Sequence, residues 1–300
     1  MAAVFGANTI DKIATTDAAS IRLTEASLFT WLGWVYITTF TSGRRTMAKN
    51  AQDGNGGPNM ILTGTTEFQG NFAASVVNAT ATSTGVSLAL NTWYCLGMTF
   101  DPNAAQQIHL FVGSLTALMA EVAYAGGSTN IVGTSASLAD LTIGNWSGTG
   151  LAFQGRIAHA AQFNRVLTLA EQQQWQFRPA RPLTSGCVFL AIPGLVGTGT
   201  QPDYSGNGNT GAVTGATVGD HVPLGPMFGW RSQWRGAFRA AADLAGAPER
   251  TKLGVGTKLY QPDLKELMSL GLLGVALKNP RLTRRQLLGL PERTKLGEGQ

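Results

Sequence analysis

NTWYCLGMTFDPNAAQQIHLFVGS, Asn91 to Ser114, decides how the chain is read. TWYCLGMTF and QIHLFVGS are rich in aromatic and β-branched residues, and DPNAA between them is turn chemistry, so the segment reads as two strands about a turn. The same texture continues on both sides. ASIRLT, FTWLGWVYITTF, MILTG, NFAASVV, GVSLAL, LTIGNW, GRIAHAAQFN and GCVFLAI read as further strands, and SGRR, DGNGGPN, ATSTG and SGTG as turns. Many short strands at this spacing predict a β-sandwich or barrel. One helix interrupts them at LTLAEQQQWQF, Leu167 to Phe177, with Thr168 as cap, Glu171 three residues on and Pro179 as its stop.

Composition agrees with an all-β body. Charged residues are 13% of the 300 positions, about half the average of roughly 25%, and 38 are glycine. The surface is therefore largely neutral. Charge is also unevenly placed: residues 1–230 hold nine basic and eleven acidic residues, a net of −2, whereas 231–300 hold 13 basic and six acidic, a net of +7. A basic tail seeks an acidic partner: nucleic acid, an anionic membrane or an acidic protein surface.

We therefore divide the chain into a sandwich, 1–226, and a C-terminal arm, 227–300. Trp230, Trp234 and Phe238 fall on one helical face of the arm, with Arg231, Arg235 and Arg239 in the adjacent row. The heptapeptide PERTKLG occurs at Pro248–Gly254 and again at Pro291–Gly297, and reads as one docking peptide used twice or as duplicated linker. Arg250, Lys252, Arg293 and Lys295 belong to these copies, and Arg284 and Arg285 stand between them. Nucleic acid is disfavoured because no larger basic cluster reinforces the stripe. A membrane is disfavoured because Gly and Pro break the leucine segments. MAAVFGANTIDK lacks a basic stretch followed by an apolar one, so no secretion signal is expected and the sequons at Asn78 and Asn145 should stay unmodified.

With the strands laid out, the body resembles the laminin-G-like, concanavalin A-like family. Four segments carry the likeness: Phe29–Thr38, the Asn91–Ser114 hairpin, Leu141–Gln172, and PDYSGNGNTGAVTGA at Pro202–Ala216. The resemblance implies an all-β, two-sheet antiparallel jelly-roll sandwich, here followed by the basic arm of short helices and extended segments. The SGNGN stretch often precedes the rest in relatives and here follows it, a permutation that a closed sandwich tolerates. Family members often carry acidic residues where this chain has Ala158, His159 and Ala160, which weakens transfer of an acidic site to that edge.

Catalytic chemistry is not expected. The E-x-D-x-x-E run of laminarinase-type relatives is missing, and Glu25, Glu67, Glu121 and Glu171 are solitary in sequence. His109, His159 and His221 lack ligand spacing, and as strand residues His109 and His159 read as satisfied or surface imidazoles. Calcium has weak candidates in Asp101 with Asn103, Asp203 with Asn207 and Asn209, and Asp53 with Asn55; an Asx turn explains each as well. In Pro202–Ala216, Asp203, Gly206, Gly208 and Gly211 read as turn residues, with left-handed positions supplied by glycine and asparagine. Cys95 and Cys187 read as two buried thiols on neighbouring strands.

Two functions fit these observations. The first is a non-enzymatic bacteriophage virion protein, as the resemblance implies: a sandwich displayed outside the capsid and an arm bound to the major capsid protein or other virion proteins, with homo-oligomers open. Such a protein is made in the host cytoplasm. The alternative is a carbohydrate-binding, lectin-like module for a surface glycan, with Trp146 as an aromatic platform and Asn145 as an adjacent amide donor.

Overall fold

The computed structural model describes residues 2–6, 10–49, 56–64, 66–73, 78–126, 136–146, 148, 150–179, 185–194 and 199–223. The arm with all its candidate contact residues, its boundary at 226, and the Asp53 and Asn55 pair lie outside the described residues.

The chain opens with β1 (Ala2–Phe5), β2 (Lys12–Thr15), β3 (Leu23–Thr24), β4 (Phe29–Ile37), β5 (Arg44–Ala48), β6 (Gly57–Leu62) and β7 (Phe68–Ala73). It continues through β8 (Ala79–Ser83), β9 (Thr92–Phe100), β10 (Ile108–Ser114), β11 (Ala120–Glu121), β12 (Tyr124–Gly126), β13 (Ala136–Ser137), β14 (Leu141–Ile143) and β15 (Gly155–Phe163). Helix α1 (Leu169–Phe177) follows, then β16 (Cys187–Ala191), β17 (Gly199–Gln201), β18 (Gly211–Thr214) and β19 (Thr217–Gly219).

These strands build two large antiparallel sheets. The first runs β11-β10-β9-β4-β15-β1-β19, with β16 also on β15, and the second runs β12-β8-β7-β6-β5-β14-β2-β18-β17. Phe5, Ile13, Phe29, Trp31, Met47, Met60, Phe68, Phe72 and Phe100 meet between them as a sandwich core. Strand β4 shows why its sequence is apolar without alternation. Trp31, Val35 and Ile37 face this core, while Leu32 and Trp34 join a second apolar cluster on the outer face of the first sheet.

Helix α1 belongs to that outer cluster. It begins as its sequence requires, with a capping box between Thr168 and Glu171. Arg165 and the Thr168 backbone and hydroxyl hold the Glu171 carboxylate down to about 2, against the effect of burial. The helix then docks through buried amides as well as through Trp175. Gln176 donates to the Ser114 and Ala117 carbonyls and accepts from the Met119 N–H at 2.7 Å, and the Trp34 indole donates to the Gln176 carbonyl. Glycines make the space: a Cβ on Gly113 would lie 2.7 Å from Gln176 Nε2, and one on Gly97 3.1 Å from Gln172 Oε1.

Several local expectations are corrected. GVSLAL is not a strand; Leu88 is a buried plug whose N–H donates to the Thr66 carbonyl. The strand lies earlier, at β8, which runs into what reads as the turn ATSTG, because its core-facing residues Ala79, Ala81 and Ser83 are too small to show hydrophobic alternation. SGRR likewise contributes Arg44 and Arg45 to β5. Cys95 and Cys187 are free but not on neighbouring strands, since β4 and β15 separate β9 from β16. Gly206 and Gly208 are left-handed, with φ of 90° and 76°, whereas Gly211 lies in β18 with its bare Cα against Ile13 and Thr15.

Candidate functional site

A strand alternates its side chains between faces, so burying one face of β6, β7 and β8 dictates what the other presents. Met60, Leu62, Phe68, Phe72, Ala79 and Ala81 enter the core. Asn59, Ile61, Gln69, Asn71, Thr80 and Thr82 occupy the outer face of the second sheet. Register aligns them in two rows, Asn59 opposite Asn71 opposite Thr80, and Ile61 opposite Gln69 opposite Thr82. Within the rows Asn71 Nδ2 donates to Thr80 Oγ1 at 2.7 Å and Gln69 Nε2 donates to Thr82 Oγ1 at 2.8 Å. Each amide keeps its carbonyl oxygen and one N–H, and each threonine its hydroxyl proton, without a partner among the described residues. All four side chains are half-buried. Asn59 and Ile61, at the β6 end of the rows, are buried, so the accessible donors and acceptors of this neutral face are those of the two amide–threonine pairs.

Arginine extends this surface. Arg45 pairs in register with Ile61, and its Nε donates to Asn59 Oδ1 at 3.2 Å. Its Nη1 donates to the Gly43 carbonyl at 2.6 Å, and the guanidinium carbon lies 5.3 Å from the centre of the Trp146 ring. Burial pushes the Arg45 guanidinium below its ordinary range. Neighbouring Arg44 donates from Nη1 to the Gly150 carbonyl at 2.8 Å.

Trp146 is thus on the rim of a polar face, partly exposed, with Arg45 against its ring. Asn145 is corrected as a ligand contact. It is fully buried, and its side-chain oxygen accepts the Trp146 backbone N–H at 2.9 Å, so it shapes the turn that carries the indole. The sequence reading missed Arg45, Asn59, Gln69 and Asn71. Alternation through GPNMIL and FQGNFA could have found the amides, but nothing local marks Arg45, which a turn motif disguises.

The calcium candidates have protein donors on their oxygens. Asp203 Oδ1 accepts from the Leu190 and Ser205 N–H groups, and Oδ2 accepts from Ser205 Oγ and the Asn209 N–H, all at 2.8–3.0 Å. Asp101 Oδ1 accepts the Asn103 N–H in an Asx turn. Among the described residues no three His, Cys, Asp or Glu side chains are grouped to hold a metal.

Two histidine environments depart from sequence spacing. Glu121 is not solitary: Oε1 lies 2.7 Å from His109 Nδ1 and accepts from the Tyr124 hydroxyl at 2.8 Å. Burial raises the Glu121 carboxyl, but hydrogen bonds from His109 and Tyr124 outweigh it and leave the group below its usual range. Because Glu121 is on β11 and Tyr124 on β12, this cluster ties the edges of the two sheets together. His159 is buried on the outer face of the first sheet, its Nδ1 without a partner and its ring edge-on to His221 and Trp175.

Comparison with known proteins agrees with the architecture. A family model described as the concanavalin A-like lectin/glucanases superfamily matches residues 8–171. No curated protein sequence matches the chain. Among solved structures, a Bacteroides ovatus protein to which carbohydrate binding is ascribed superposes with a TM-score of 0.50 at 15% identity, covering 75% of this chain and 61% of its own. The chain therefore spans less than two thirds of that protein. The CBM40 domain of the Ruminococcus gnavus IT-sialidase, bound to α2,3-sialyllactose, matches with a TM-score of 0.43 at 11% identity over 58% of this chain and 97% of its own. The botulinum neurotoxin serotype G binding domain matches with a TM-score of 0.41 at 10% identity over 56% and 40%. Neither the family nor these structures bears on a virion.

Proposed function

The chain belongs to the concanavalin A-like lectin/glucanases superfamily, and from that membership we propose that it is a carbohydrate-binding module holding a glycan on the outer face of its second sheet. The observation that carries this reading is the pair of rows Asn59-Asn71-Thr80 and Ile61-Gln69-Thr82. Sugar hydroxyls both donate and accept, and each partnered amide and threonine retains one group of each kind without a partner among the described residues. The strands hold these groups in fixed register, so little side-chain ordering remains for binding. Trp146 and Arg45 border the rows and limit where a ring can lie.

Two glutamates outside these rows support a module without catalysis of its own. Glu121 is engaged by His109 and Tyr124, and Glu171 by Arg165 and Thr168, so neither is poised opposite a second carboxylate.

A glycan array with the purified chain, followed by calorimetry on the best binder, tests the assignment. Asn71→Ala and Gln69→Ala should each weaken binding about fivefold, the loss of roughly 1 kcal/mol per hydrogen bond. An array without a single bound glycan, or unchanged affinity in the double variant, overturns it.

A further inference from the structure

Resting on that carbohydrate-binding reading, we propose that the ligand is an acidic saccharide and that its carboxylate is received by Arg45 beside Trp146. Several cations among the described residues are met by a carboxylate, and two neighbouring arginines are not. Arg22 and Lys49 meet Asp17, Arg156 meets Asp220 and Arg165 meets Glu171. Arg44 and Arg45 meet only carbonyl and amide oxygens, and no ion pair involves either among the described residues. Both are partly withdrawn from water, and Arg44 Nε is buried without a partner. A desolvated charge lacking a counter-ion is costly, and burial acts on the Arg45 guanidinium with no carboxylate to oppose it.

The geometry of Arg45 fits an anion that arrives from outside. Its Nε and one Nη1 hydrogen are engaged, while Nη2 has no partner among the described residues. A planar carboxylate can pair with the remaining donors of a guanidinium that Asn59, Gly43 and Trp146 already hold in place. The neighbours define the rest of the ligand. Asn59 leads directly into the amide row, so a sugar ring whose acid group meets Arg45 extends its hydroxyls over Asn71 and Thr80. An isolated small anion would leave those groups unused.

Calorimetry with α2,3-sialyllactose and a glucuronate-terminated oligosaccharide, each beside its methyl ester, tests this without altering the protein. The acids should bind at least about tenfold more tightly than the esters, the range of a charge-assisted pair, and the difference should shrink as salt rises. Arg45→Gln should bring acid binding down to the ester's level, while Arg45→Lys keeps only part of the preference. Melting temperatures of both variants report whether they fold. If acid and ester bind alike, the acidic-ligand inference falls and the carbohydrate reading stands. If a sulfated analogue binds as tightly as the carboxylates, the carboxylate assignment falls. If no saccharide on a broad array binds, the carbohydrate reading falls with it.

Discussion

Lys49 Nζ lies 2.5 Å from Asp17 Oδ1, with the lysine side chain wholly removed from solvent and the carboxylate 9% exposed. A second contact, from Nζ to the Ala139 carbonyl at 2.6 Å, helps solvate the ammonium. Burial raises the Asp17 carboxyl, but hydrogen bonds from Lys49 and Arg22 outweigh it and hold the group below the usual carboxylate range. Burial lowers the Lys49 ammonium against the pull of Asp17. Asp17→Asn should destabilise the protein by about 3–5 kcal/mol, because it leaves a buried ammonium without its counter-ion. Lys49→Met combined with Asp17→Asn should recover much of that loss, and urea titrations of the three variants compare them.

His159 sets a pH dependence of its own. Burial, with His221 nearby, brings its imidazole down to about 3 from an ordinary 6.5. The unfolded chain therefore binds the proton first as the solution is acidified. Stability attributable to His159 is complete above pH ~6.5 and falls by about 1.4 kcal/mol per pH unit below it, until the folded-state value is reached. His221, also lowered by burial, adds in the same direction. The Asp17 contribution is lost only at more acidic pH, through its lowered carboxylate value. Urea midpoints between pH 7 and 5 should decline in the wild type and decline less in His159→Phe; parallel slopes would overturn the assignment.

Gln176→Leu should cost about 2–4 kcal/mol, since the Met119 N–H loses its acceptor and the Ser114 and Ala117 carbonyls each lose a donor under the helix. Gly113→Ala should destabilise by about 1–3 kcal/mol in a wild-type background, as its Cβ crowds Gln176 Nε2 and Met119 Cα. The two losses should not add, because the first substitution removes part of what the second collides with. Thermal unfolding of the single and double variants measures the coupling.

Asp203→Ala should be worth about 2–4 kcal/mol, for four donors lose one acceptor group. The melting temperature of the wild type should be the same in calcium and in chelator. A calcium-dependent rise that Asp203→Ala abolishes would show a cation competing successfully for those oxygens.

Much of the fold was legible because long apolar strands and turn residues act locally. The helix of 169–177 and its Thr168–Glu171 box followed from sequence, as did β9 from Thr92 to Phe100. Strands with small inward residues escaped, as Ala79, Ala81 and Ser83 show: their burial comes from the opposing sheet and leaves little hydrophobic signal. The candidate site was less visible. Trp146 stood out as an aromatic in a glycine-rich turn, yet its contact with Arg45 joins two residues about a hundred positions apart, and only the pairing of β5 with β14 brings them together. The His109 and Glu121 contact depends in the same way on β10 meeting β11.

The pairing of β1 with β19 and of β2 with β18 also bears on how the protein is made. The ribosome releases β1 and β2 long before β18 and β19, so β2 lacks a neighbour until residue 214 has emerged and β1 until residue 219. Nearly the whole body must be synthesised before either sheet can be completed, and unpaired strand edges stay available to other chains meanwhile. Such distant pairings predict slow folding and a nascent chain that benefits from a chaperone until its last strands arrive.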